Sequence, residues 1–219
     1  MSTTQTRPSF AFQSVITQIC ELSWCKLTEA EIIDVAWAYY FFSIQFRENL
    51  QVARALFPDD AKLQHLEREE CDTDNLSPWP DVAAPGEKMN HDEFMRRLLE
   101  LSPVSDDTRQ LFYVLGDRYL QKVRQTDDMT RALSIASYED GGLEAVFRAI
   151  LTSPGSKNPV VAAFRHFLSE HIRFDSDVSQ GHGALARHLS PDDRILPLWN
   201  DFRQLLVEFT PNLVPFTKF

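Results

Sequence analysis

Glycine is scarce in this chain, with seven in 219 residues, and cysteine scarcer still, with three. Few glycines and 43% hydrophobic residues disfavour a turn-rich β fold or a disordered polymer and favour a helical globular protein. Cys20, Cys25 and Cys71 are odd in number and form no CxxC pair, so neither a disulfide framework nor a zinc ribbon is expected. No apolar run approaches the eighteen or so residues of a membrane span. The polar first ten residues lack the basic start and apolar run of a secretion signal. No membrane partner is therefore expected, and a cytoplasmic location is. Positive charge is also short: 22 Lys and Arg stand against 32 Asp and Glu, a net charge of −10, which argues against a nucleic-acid partner and for a small-molecule one.

What is present is helical periodicity. Thr28 and Glu31 have the spacing of a capping box, and apolar residues from Ile32 to Leu56 recur at helical intervals until Pro58. Further helices are expected over 59–72, from the cap Asn90 to Leu101, from Ser105 to about Val123, over 129–151, from Pro159 to about Asp175, and from Ser190 to Phe209. Gly141-Gly142 should kink the 129–151 helix. Residues 76–89 read as a proline-rich loop and 1–27 as an N-terminal extension. The whole reads as an all-α protein, one compact domain of seven to eight helices spanning 1–219.

Chemistry must come from carboxylates and histidines. His171 and Asp175 lie four apart on a helix and so share a face. His182 follows, and with upstream carboxylates these would form the mixed nitrogen and oxygen set that suits non-haem iron or manganese. Glu139 sits in an apolar helix just before the double glycine, where a carboxylate costs several kcal/mol to bury without a metal or partner. Glu144 competes for that role. Glu67, Glu69 and Glu70 alone read as a solvated acidic face. Most of the remaining histidines are ordinary surface or capping residues by default, and most of Tyr39, Tyr40, Phe41, Phe42 and Phe46 read as core.

The order Glu, His, Glu, then His-x3-Asp and a further His resembles the haem-oxygenase-like diiron oxidases and oxygenases. That family shares its helical bundle with the TenA and PQQ-synthesis C proteins, and the resemblance spans about residues 30–190. It implies metal ligands at Glu70, His91, Glu139, His171, Asp175 and His182, with Glu70 and Glu139 also placed at the reacting centre. It implies two Fe(II) ions, or manganese, with O2 as co-substrate. The implied activity is N-oxygenation, oxidative C–C cleavage or desaturation of a small molecule, such as an amino acid or its derivative, in biosynthesis. A homodimer and a substrate carboxylate paired with Arg47 or Arg173 are further expectations.

The chain departs from the family pattern in two places. Twenty-one residues separate Glu70 from His91, where the family keeps about ten. Val178 stands where the last histidine usually falls, so His182 can serve only if 176–181 leaves the helix; in a continuous helix it would lie roughly 10 Å along the axis from Asp175. The same bundle also hosts metal-free TenA-type hydrolases with a cysteine nucleophile, and non-catalytic binding proteins. These remain as alternatives.

Overall fold

A computed structural model describes residues 10–72, 78–175 and 181–214, the side chains of 174 and 175 excepted. The architecture is all-α, and among the described residues there is no β-strand, only an isolated bridge between Trp79 and Ala83 in the proline-rich loop. No helix among the described residues is long and apolar enough to cross a membrane.

Helix α2 (Glu29–Leu56) is the central element. Its start is the expected capping box: Thr28 Oγ1 accepts from the Glu31 amide, and Glu31 accepts from the Thr28 amide at 2.7 Å. The middle of α2 is buried on several sides, which the apolar run Trp37–Phe42 requires. It packs against α3 (Ala61–Cys71), α4 (His91–Glu100), α5 (Asp106–Arg124), α6 (Asp128–Ser137), α8 (Pro159–Asp175) and α10 (Leu196–Phe209). Side-chain caps open most of these helices: Asp60 for α3, Asn90 for α4, Ser105 for α5 and Asp127 for α6.

Ten α-helical segments occur among the described residues, more than the seven or eight expected, for three reasons. First, the supposed extension contains α1 (Ala11–Cys20), which buries Phe12, Val15 and Ile19 against α7 and α10. The Asp193 carboxylate accepts from the Ala11 amide at 2.6 Å and so caps α1 from the far end of the chain. Second, the helix expected over 129–151 is divided by a wide π-type turn, Tyr138–Gly142, into α6 and α7 (Leu143–Ile150). The kink lies at the double glycine as expected, with Gly141 at φ +91°, a conformation that costs glycine little. Third, α9 (His182–Ala186) is a short helix of its own.

The last helix also starts later than expected. Ser190 adopts a left-handed φ of +50°, and Asp192 caps a single 3₁₀ turn, Asp193–Ile195, before α10 begins with Pro197 in its first turn.

Candidate metal centre

Five of the six sequence-derived ligand candidates converge beside the middle of α2. Glu70 lies in the last turn of α3, on the face already occupied by the buried Leu63 and Leu66. His91 is the first residue of α4, aimed by the Asn90 cap. Glu139 projects from the π turn, His171 from α8, and His182 opens α9 after an extended Gly181.

The geometry centres on Glu70. Its Oε1 lies 2.5 Å from His182 Nδ1 and its Oε2 lies 2.9 Å from His91 Nδ1. His182 Nδ1 is also 3.4 Å from Glu139 Oε2, and ligand atoms of Glu70, Glu139 and His182 all fall within 4.8 Å of one another. His171 Nε2 stands 3.4 Å from His91 Nδ1, while its Nδ1 makes a 3.0 Å hydrogen bond with the Phe167 carbonyl. Since a carbonyl only accepts, Nδ1 carries the proton, and Nε2 is left with a lone pair turned toward the cluster. Backbone hydrogen bonding of this kind orients metal-ligating histidines.

Burial makes the cluster electrostatically costly. Glu70 is 4% exposed and His182 3%, and neither Lys nor Arg is among the residues lining the cavity. Burial alone would raise the Glu70 carboxyl, but His91 and His182 hold it well below the ordinary carboxylate range. Burial raises Glu139, against the hydrogen bond from His182. His182 is driven well above the ordinary imidazole range: burial opposes its charge, and Glu70 and Glu139 overcome it. Burial and the neighbouring His91 push His171 down to about 3, so it is a neutral donor. His182 thus sits between two acidic side chains, the place a metal cation would take.

The donor set fits a metal on independent grounds. Glu70 Oε1 and His91 Nε2 are buried without a hydrogen bond of acceptable geometry, although Glu70 Oε1 has an imidazole nitrogen 2.5 Å away. The adjoining cavity is about 20 Å³, room for a water or an ion, and Tyr39, Phe46, Leu143 and Phe147 form its apolar wall. Oxygen and imidazole donors of this kind suit iron, manganese or zinc better than calcium.

Local backbone geometry joins two of the candidate ligands. Gly183 packs against the Glu139 carbonyl, where a Cβ would come within 2.9 Å, so the residue after His182 must be small. Outside the cavity, Arg187 grips Asp140 with bonds of 2.6 to 3.1 Å, fastening the segment after α9 to the residue after Glu139.

Other candidates are placed elsewhere. The Asp175 side chain and residues 176–180, including the expected break, lie outside the described residues. Glu144 pairs with Arg148 at 2.6 Å and Glu67 with Arg54 at 3.1 Å. Arg47 is held bidentate by Asp92, at 2.8 and 3.0 Å, and Arg173 pairs with Glu170 at 2.6 Å. His188 contacts Asp60, and the His166 ring lies tilted against Trp79. Of the aromatic residues of α2, Tyr39 and Phe46 reach the cavity, while Phe41 and Phe42 are core. Sequence reasoning missed Ser43 and Tyr138 in the cavity wall and Gln45 behind them; a polar Gln45 within the apolar run of α2 was the available signal.

Comparison with protein-family models, curated proteins and solved structures finds no match to this chain.

Proposed function

We propose that this helical bundle is a non-haem, O2-activating oxidase or oxygenase of the haem-oxygenase-like diiron type, acting on a small molecule. The observation that carries the reading is the Glu70 carboxylate, whose two oxygens face different histidines, His182 and His91, inside a buried acid–imidazole cluster. Glu70, Glu139 and His182 would hold one metal ion, and Glu70, His91 and His171 a second, with Glu70 shared between them. Bound there, iron would supply the electrons that reduce O2, and manganese accepts the same donors.

The chain's own contribution is to bind and shield. His171 offers a neutral nitrogen, fixed by the Phe167 carbonyl. Glu70 and Glu139 neutralise the cation's charge in surroundings where water is largely excluded. The apolar wall of Tyr39, Phe46, Leu143 and Phe147 favours an uncharged portion of substrate near the centre.

Two of the three thiols disfavour a TenA-like hydrolase. Burial and the neighbouring Glu70 and Glu67 carboxylates push the Cys71 thiol up to about 12, and burial raises Cys20, so neither is poised as a thiolate nucleophile.

The test is anaerobic titration with Fe(II), followed by O2 and a panel of amino acids and fatty acids read by mass change. Binding of about two ions per chain is expected, with an O2-dependent mass change in one substrate class. Absence of binding by iron and manganese alike would overturn the reading.

A further inference from the structure

Behind the cavity wall, Gln45 is fully buried in the middle of α2, among Phe41, Phe42 and Phe46. A primary amide in such a place costs several kcal/mol unless its donors and acceptor are used. Both ends are used: Nε2 donates to the Tyr138 hydroxyl at 2.8 Å, and Oε1 accepts from the Tyr119 hydroxyl of α5. Tyr138 immediately precedes Glu139 and opens the π turn. Its ring stands in the cavity wall, edge-on to Phe42 and to Trp199.

The other side of the turn is held as tightly. Trp199 Nε1 donates to Ser137 Oγ at 3.0 Å, and the Trp199 ring lies against Gly142, where a Cβ would meet it at 2.9 Å. The turn is therefore gripped at both ends, by a hydrogen bond through Tyr138 and by packing through Gly142. Glu139 is the last helical residue before the break, because Asp140 and Gly141 after it leave the helical region, so no regular turn steadies it from the C-terminal side. Whatever holds Tyr138, the residue before it on the helical side, therefore bears on the direction in which Glu139 points.

We propose that Gln45 is the positioning residue for Glu139: by fixing the Tyr138 hydroxyl, with Tyr119 behind it, Gln45 sets the rotation of the π turn and so holds the Glu139 carboxylate beside His182. Gln45 touches neither the ligands nor the space a metal would fill and acts only through its neighbour. The inference rests on the proposed metal centre for its consequence, though its geometric content does not.

The experiment is a double-mutant cycle on Mn(II) affinity, with Gln45→Met, Glu139→Gln and the double variant, each checked for melting temperature without metal. Gln45→Met should weaken Mn(II) binding by about tenfold or more, as loss of a ligand-orienting partner commonly does. In the Glu139→Gln background the same change should have little further effect, because the carboxylate that Gln45 places is gone. Tyr138→Phe keeps the ring and loses the hydroxyl, and it should reproduce the Gln45→Met loss. Equal weakening in both backgrounds, or none in the single variant, would overturn the proposal, since a general loosening of the core affects both alike. If the wild-type chain binds no metal, the proposed function fails while this inference is still decided by a crystal structure of Gln45→Met. Movement of the Glu139 carboxylate from His182 by about 1 Å or more sustains it, and an unmoved carboxylate overturns it.

Discussion

His182 Nδ1 lies 2.5 Å from Glu70 Oε1 although the two residues belong to α9 and α3. Both are at helix ends, where the chain can aim a side chain inward without continuing through the core.

If this pair belongs to a metal centre, metal should stabilise the fold. At a free ion concentration one hundred times Kd, stabilisation is about 2.7 kcal/mol. For a chain of this size that raises the melting temperature by about 5–10 °C, reversed by a chelator. Scanning calorimetry with and without Mn(II) measures it. Glu70→Ala and His182→Ala should abolish the shift, and a full shift in both variants would place the ion elsewhere.

Asp34 gives a pH signature away from the centre. Burial, with Glu31 nearby, pushes its carboxyl up to about 6. The folded chain thus holds this proton more tightly than the unfolded chain, and the stability it contributes is full below about pH 4 and lost as pH rises through 6. Asp34→Asn should gain about 1 kcal/mol over wild type at pH 7, after allowance for solvent screening, and almost nothing at pH 4. Urea denaturation at the two pH values decides it; a gain of equal size at both would assign the effect to something other than ionisation.

Gly142 should resist substitution. A Cβ there would lie 2.1 Å from the Ser137 carbonyl oxygen, a backbone atom, and 2.9 Å from the Trp199 ring. Gly142→Ala should cost about 1–3 kcal/mol, the range of overpacked cores, and weaken metal binding as the turn shifts. Gly155→Ala, at a position with open space around it, is the control and should be near neutral. Equal melting temperatures for the two variants would contradict this account.

The cysteines separate the oxygenase reading from the hydrolase one. Cys25 is exposed, whereas Cys71 is half-buried with its thiol pushed up to about 12. Iodoacetamide at pH 8 should label Cys25 well before Cys71 in the native protein, followed by peptide mass mapping. Cys71→Ala should retain metal binding, and a turnover lost in that variant alone would favour cysteine chemistry.

Much of the helical order was legible in single residues. Thr28 with Glu31, Asn90, Ser105 and Pro58 marked boundaries because capping and proline chemistry are local. Helix α1 was masked by the polar residues before it, although Phe12, Val15, Ile16 and Ile19 carry helical spacing. The candidate ligands were harder. Leu63, Leu66 and Glu70 share a face, which could have separated Glu70 from the acidic run around it. Which oxygen of Glu70 meets which imidazole depends on how α3, α4 and α9 dock, and no local pattern encodes that. Gln45 was passed over because its partners, Tyr119 and Tyr138, lie on other helices.

The π turn at Tyr138–Gly142 is what a helix acquires when one residue too many is lodged within it. Each residue of a regular helix advances the side chains by about 100°, so the added residue sets α6 and α7 out of phase. A variant lacking Gly141 could close 128–150 into one regular helix, with α7 turned by roughly that angle relative to α6. The core face of α7, with Leu143, Val146 and Phe147, would then no longer match its present neighbours while Glu139 stayed in phase with α6. The length of this segment, counted in single residues, is thus part of the chemistry of the site: an indel here changes which faces meet, where the same indel in a surface loop changes little.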